Sequence, residues 1–109
     1  MILVRIIIIA LPEKRKEVLQ TLLSILEPSG KKSEFLSYDI FSDIEDENVF
    51  SLISRWESRR ELDRHMKSDR FSVLLGSKSL LCEPLKIEIF TISASEGMEA
   101  VHLVRKKRN

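Results

Sequence analysis

Cysteine, glycine and proline are scarce in this sequence of 109 residues, which contains one, three and three of them. The single Cys82 excludes an internal disulfide and a C-x-x-C redox or zinc motif, so a cytoplasmic setting is expected. The three scattered glycines exclude the G-x-G-x-x-G and P-loop motifs for nucleotide phosphates. The two histidines, His65 and His102, lie too far apart to predict a metal site.

An excess of charge is also lacking, because 18 Lys and Arg nearly balance 17 Asp and Glu and leave a net charge of +1. Nucleic acid and membrane surfaces are therefore not predicted as partners, since neither is attracted by a nearly neutral chain. The apolar run over residues 2–11 is about half as long as a membrane-spanning helix and contains Arg5. It is interpreted as a buried strand and not as a signal peptide.

Apolar residues make up 43% of the chain, enough for the core of one domain. Their spacing predicts six elements: a strand over 2–10, a helix over 12–26, strands over 34–44 and 49–56, helical segments over 58–76 and a strand over 85–92. The run Ser58-Arg59-Arg60-Glu61 is a capping box that starts the second helical segment, and a further helix starts at Ser68 or Asp69.

The order β-α-β-β-α-β predicts an α+β, ferredoxin-like fold in which a four-stranded antiparallel sheet carries its helices on one face. Several strands are apolar on both faces, and a soluble monomer rarely exposes so large an apolar patch. We therefore expect a homodimer that buries the second face. Residues 1–93 form the predicted domain. Residues 94–109 are a C-terminal extension, interpreted as a candidate edge strand over 101–104 followed by a basic tail over 105–108.

The most specific pattern lies at the end of the third strand and in the helices after it: Arg55-Trp56-Glu57-Ser58, Leu62, His65, Ser68, Phe71 and Leu80-Leu81 before a proline. This pattern resembles the antibiotic biosynthesis monooxygenase family. The likeness follows the element order over about residues 1–93, and its specific part is residues 56–71. It implies a dimeric α/β barrel that oxidises a quinol or related aromatic molecule with O2 and needs no metal or flavin cofactor.

The resemblance also implies roles for individual side chains. His65 would be the catalytic base or a hydrogen-bond partner of the substrate, Trp56 and Phe71 would line the substrate pocket, and Tyr38 or Arg5 would stabilise an oxyanion. Each residue has an alternative structural role. His65 could bond a backbone carbonyl, Trp56 could only fill volume, and Arg5 could pair with a carboxylate on a neighbouring strand.

The sequence departs from two branches of that family. Haem-degrading members would carry their axial histidine at the position of Leu75, and leucine cannot bind iron. Oxidisers of aromatic polyketides carry a tryptophan and a tyrosine where this chain has His65 and Phe71. An alternative function therefore stays open, a dimeric α/β-barrel module that binds a small molecule or assembles without turnover.

Overall fold

The computed structural model describes residues 1–26 and 38–107. Its strands are β1 (Ile2–Ile9), β2 (Tyr38–Ser42), β3 (Val49–Trp56) and β4 (Lys86–Thr91). Its helices are α1 (Arg15–Leu26), α2 (Arg59–Met66), α3 (Asp69–Gly76) and α4 (Met98–Lys106), with short 3-10 turns at Pro12–Lys14 and Ser77–Leu80. The predicted ferredoxin-like α+β fold is confirmed.

The four strands form one antiparallel sheet in the order β2-β3-β1-β4. β1 lies in the interior of the sheet and pairs Ile2 with Trp56 on one side and with Thr91 on the other. Because side chains alternate across a strand, this register fixes which residues share a face. On β1 and β3 the alternate residues that face the helices are buried: Ile2, Val4, Ile6, Ile8, Phe50, Leu52, Ser54 and Trp56.

Three helices cover this face of the sheet. α1 contributes buried Val18, Leu22 and Ile25, which recur at helical spacing. α2 begins at the predicted N-cap Ser58, and α3 begins at the N-cap Ser68, one of the two starts that the sequence left open. The hydroxyl of Ser58 accepts the N–H of Glu61 at 3.3 Å, and the hydroxyl of Ser68 accepts the N–H of Phe71 at 3.2 Å. These bonds satisfy amides that a helix start otherwise leaves without a partner.

The opposite face of the sheet is not covered by α1, α2 or α3. Its apolar residues are half-buried or exposed, and they come from all four strands: Leu3, Ile7, Ile9, Phe41, Val49, Ile53 and Phe90. Phe41 is 51% exposed and Phe90 is 43% exposed. We call this surface the open sheet face. It is the surface on which the expectation of a homodimer depends.

The predicted end of the second strand was wrong. The second strand ends at Ser42 and not at Ile44, which is 98% exposed, because the carboxylate of Asp43 accepts the N–H groups of Glu45 and Asp46 and turns the chain. The predicted strand start over 34–37 lies outside the described residues.

Residues 101–104 belong to α4 and do not form an edge strand. The apolar residues of this segment have helical spacing. In a helix they fall on one side, an arrangement that a strand does not need: Ala100, Val101, Leu103 and Val104. Glu99 accepts the N–H of Gly97 in the first turn, and the basic residues predicted as a tail begin within the last turn. Within the described ranges, α4 has no buried residue, and no helix is long and apolar enough to cross a membrane.

Candidate functional site

Three aromatic rings surround the imidazole of His65, which is 6% exposed. The indole of Trp56 stacks on it with ring centroids 4.7 Å apart and planes inclined by 22°. The rings of Tyr38 and Phe71 meet it edge-on, at centroid distances of 5.3 and 5.5 Å. All three aromatic residues are themselves buried. His65 therefore lies in a buried cluster of aromatic side chains packed against one another, which we call the aromatic pocket.

The positions of these residues follow from local rules. Tyr38 opens β2 and pairs with Ser54, and Trp56 lies two residues further along the same face of β3. His65 is one helical turn beyond the buried Leu62, and Phe71 lies in the first turn of α3. Trp56, His65 and Phe71 lie close together because they belong to one short segment, in which β3 is followed directly by α2 and α3. Tyr38 joins them only through the pairing of β2 with β3.

The hydroxyl of Tyr38 is hydrogen-bonded to Nε2 of His65 inside this pocket. Burial raises the pKa of the Tyr38 phenol above its usual range, and the positive charge of Arg70 opposes that rise. The phenol therefore stays protonated at neutral pH and has a hydrogen to donate. A protonated phenol facing an imidazole nitrogen is a pair through which a proton can move.

Two serines complete the polar contacts of the pocket. The indole N–H of Trp56 donates to the hydroxyl of Ser54 at 3.0 Å, which fixes the plane of the indole against His65. The hydroxyl of Ser68 lies 3.5 Å from Nδ1 of His65 while it also caps α3. Neither serine was predicted as a site residue. Their spacing gave a signal, since Ser54 is two residues before Trp56 on a strand and Ser68 is three residues after His65.

Tyr38 also borders a groove of about 520 Å³ between α1 and β2. The groove is mostly apolar, with Leu19, Leu23 and Leu26 on the helix side and Tyr38, Ile40 and Phe50 on the sheet side. A volume in this range suits one small ring system. Tyr38 is thus shared between the aromatic pocket and an open groove. Of the predicted site residues, only Tyr38 lines it.

Arg5 does not belong to this group. It projects from β1 onto the open sheet face, because its neighbours in the chain, Val4 and Ile6, face the helices. Its Nη2 lies 3.0 Å from Oε1 of Glu88, the residue opposite it on β4. The structure therefore contains the alternative that the sequence left open, an ion pair between Arg5 and a carboxylate on a neighbouring strand.

Within residues 1–26 and 38–107, no group of three or more His, Cys, Asp or Glu side chains could hold a metal ion. Among the described residues, the groups at this site that can exchange a proton include the imidazole of His65, the phenol of Tyr38 and the hydroxyls of Ser54 and Ser68. The arrangement can accept, hold and pass a proton next to an apolar groove.

Known proteins resemble this chain in sequence. It is 28% identical to sll1783 of Synechocystis over 88 residues, which are 80% of this chain and 60% of that protein. It is 29% identical to YcnE of Bacillus subtilis over 77 residues, which are 70% of this chain and 81% of that protein. The chain thus spans less than two thirds of sll1783.

Solved structures share the fold. Rv0793 from Mycobacterium tuberculosis superposes with a TM-score of 0.76 at 19% identity, covering 88% of this chain and 98% of that one. The crystal structure of an antibiotic biosynthesis monooxygenase gives a TM-score of 0.75 at 21% identity, covering 86% of this chain and 100% of that one. A sequence model of the antibiotic biosynthesis monooxygenase family matches residues 1–74. The chain therefore belongs to the antibiotic biosynthesis monooxygenase family.

Proposed function

We propose that this protein is a cofactor-independent monooxygenase that oxidises a quinol or a related small aromatic molecule with O2. One observation carries the proposal: the hydroxyl of Tyr38 is bonded to Nε2 of His65 in an apolar pocket, and Tyr38 also borders the groove between α1 and β2. Membership of the family supports the reaction class. The proposed substrate class is an electron-rich phenol.

The chemistry requires little from the protein. An electron-rich phenol or anthrone that has lost a proton can itself give an electron to O2. One oxygen atom then enters the organic product, and the other leaves as water with two hydrogens from the substrate. The protein supplies a proton acceptor, a fixed orientation and an apolar surrounding.

In this proposal the substrate lies in the groove with its hydroxyl against Tyr38. His65 is the base and receives the proton through the phenol of Tyr38, because the imidazole is only 6% exposed and does not face the groove directly. The same phenol hydrogen-bonds the oxyanion that forms. Trp56 and Phe71 form the walls that hold the imidazole in place. Arg5 has no part, since it lies on the other face of the sheet.

A homodimer is part of the proposal. The open sheet face presents apolar side chains from four strands, and a second copy of the chain would cover this surface. Both copies would then use the same patch, as a two-fold axis requires. Each protomer would retain its own Tyr38–His65 pair on the helix side of its sheet.

The test is O2 uptake by the metal-free protein with hydroquinones, naphthoquinols and anthrones. We compare the natural chain with His65→Gln and Tyr38→Phe, and use His102→Gln as the matched histidine control because His102 lies on α4, outside the pocket. Boiled protein measures autoxidation. We expect saturable uptake that falls at least about 100-fold in the two pocket variants, the usual contribution of a positioned acid or base. His102→Gln should leave it unchanged.

A second candidate, binding without turnover, is favoured by the deep burial of His65. In that case uptake stays at the level of boiled protein with every compound, while aromatic molecules still bind. Titration of Trp56 fluorescence with the same compounds measures binding, and O2 uptake measures turnover, so the two measurements together separate the two functions. Binding with no uptake above background would reject the monooxygenase and leave the binding module.

A further inference from the structure

α4 presents an apolar side that its own chain leaves uncovered. No residue of this helix is buried, and among residues 1–26 and 38–107 no strand or other helix packs extensively against it. Its large apolar side chains are between 44% and 69% exposed: Met98, Val101, Leu103 and Val104. A helix of nine residues is marginal in water by itself, because helices without tertiary contacts need about 12 residues or more. α4 therefore needs a surface on which to pack.

Positive charge borders the apolar side of α4. Arg105 is one helical turn beyond Val101, and Lys107 is one turn beyond Leu103. Lys106 lies on the opposite side of the helix. None of these three basic side chains forms an ion pair with a described residue. The surface that fits α4 is therefore an apolar patch bordered by carboxylates.

The turn between β2 and β3 is such a patch. It contains four carboxylates around Ile44, and we call residues 43–48 the acidic turn. Ile44 is 98% exposed, and the side chains of Glu45 and Glu47 are exposed beside it. The two aspartates of the turn accept backbone N–H groups within it, which holds the turn in one shape. The acidic turn thus presents an apolar side chain and unpaired negative charge on a fixed backbone.

α4 and the acidic turn belong to opposite corners of the sheet. β4, which leads to α4, is one edge strand and ends at Thr91, opposite Ile2. β2, which leads into the turn, is the other edge strand, and the turn precedes Val49, opposite Ile9 at the other end of β1. Within one chain, α4 leaves Ile44 exposed. In a two-fold dimer a contact between the two surfaces forms twice, once for each α4.

We propose that α4 of one protomer docks on the acidic turn of a second copy of this chain. The apolar side of α4 covers Ile44, and Arg105 and Lys107 lie beside the two glutamates. Apolar contact and opposite charge coincide there, which gives the complementarity that fixes an orientation between protein surfaces. This inference rests on the homodimer of the proposed function but not on the oxidation of a substrate.

The first test compares two substitutions in α4 of the full chain, with the dissociation constant of the dimer measured by sedimentation equilibrium. Val104→Glu places a carboxylate in the centre of the apolar side, and His102→Glu places one on the opposite side. We expect Val104→Glu to raise the dissociation constant at least about tenfold, because a charge is removed from water. His102→Glu should change it by less than about twofold, as at other exposed positions.

Charge reversal identifies the surface of the partner. Arg105→Glu/Lys107→Glu should raise the dissociation constant by about 5- to 25-fold, because each exposed ion pair accounts for up to about fivefold. Adding Glu45→Lys/Glu47→Lys to the same chain exchanges the charges and should return the constant to within about threefold of the natural value. Lys106→Glu is the matched control for Lys107→Glu, because it reverses a neighbouring charge on the opposite side of α4, and it should have the smaller effect.

Equal dissociation constants for Val104→Glu and His102→Glu would overturn the inference. A charge reversal in α4 that the reversal in the acidic turn does not correct would also overturn it. A dimer that responds to Ile7→Glu and to none of the α4 variants would keep the homodimer and reject the docking of α4. A monomeric natural chain would reject both. O2 uptake is measured separately, so failure of the proposed reaction leaves this inference in place.

Discussion

The hydroxyl of Tyr38, at the first residue of β2, is hydrogen-bonded to Nε2 of His65, near the end of α2. The two residues are 27 positions apart in the chain and come from elements that are not consecutive. Their bond joins the sheet to the helical layer at the point where the aromatic pocket meets the groove. Because of this bond, the protonation state of each group depends on the other.

Tyr38 should resist ionisation in the native protein. It is the single tyrosine of the chain, so tyrosinate absorbance in the ultraviolet reports on it alone. Burial raises its pKa above the ordinary 10.0, so the folded state favours the neutral phenol. The corresponding stability is fully present below pH 10 and is lost as the pH rises above that value. We expect no tyrosinate until above pH 10, together with a falling free energy of unfolding.

The chain unfolded in guanidinium chloride is the control for this titration, and its tyrosine should ionise near the ordinary pKa of about 10. Native protein that forms tyrosinate at the same pH as the unfolded chain, with its secondary structure intact, would contradict the burial of Tyr38.

The fluorescence of Trp56 should report its contact with His65. Trp56 is the single tryptophan, and the centroid of its ring lies 4.7 Å from that of the imidazole. At one fixed pH, His65→Gln should change the emission of Trp56 because it removes the stacked ring, whereas His102→Gln should leave the emission unchanged. Identical emission from the natural chain and from His65→Gln would contradict the stacking contact.

Removing the hydroxyl of Tyr38 should destabilise the fold. Tyr38→Phe keeps the ring and deletes the hydroxyl that is hydrogen-bonded to Nε2 in a buried site, so the free energy of unfolding should fall by about 1–3 kcal/mol. Ser24→Ala is the comparison, because it deletes an exposed hydroxyl of α1 and should change stability by less than about 0.5 kcal/mol. Urea unfolding measures both, and equal effects would mean that the Tyr38 bond contributes nothing.

Charge on the open sheet face should separate the protomers. Ile7 is half-buried on this face, and Ile7→Glu would place a carboxylate where the second copy is expected. We expect the dissociation constant to rise at least about 100-fold, which corresponds to about 3 kcal/mol. Light scattering at micromolar concentration gives the mass. Lys16→Glu, on the exposed surface of α1, should leave a dimer. A natural chain that is monomeric would reject the homodimer.

The pair of Arg5 and Glu88 should contribute little within one protomer. Its side chains are 45% and 33% exposed, so a double-mutant cycle with alanine, made in the Ile7→Glu chain, should give a coupling of about 0.2–1 kcal/mol. The coupling should weaken in salt. O2 uptake should not depend on Arg5 in chains that retain the dimer. A loss as large as that in Tyr38→Phe would return Arg5 to the catalytic site.

The sequence by itself determined the order β-α-β-β-α-β, the serine cap of α2 and a start of α3 at Ser68 or Asp69, and it placed the group of Trp56, His65 and Phe71 within one short segment. These features follow from local rules, because apolar spacing defines helices and strands, a serine hydroxyl reaches amides in its own turn, and residues 56–71 form one short strand–helix–helix unit. The antiparallel sheet followed from the element order, because short connections permit few topologies.

Only the tertiary structure decided which residues from distant strands meet that group. The pairing register of β2 and β3 brought Tyr38 to His65, and the register of β1 placed Arg5 on the opposite face, since a shift by one residue exchanges the two faces of a strand. The helix over residues 101–104 has a local origin instead, which the prediction of an edge strand missed: its apolar side chains share one helix side, and Glu99 accepts the N–H of Gly97 at the helix start. Local spacing restricts each segment to a few conformations, and long-range pairing selects the face that each side chain occupies.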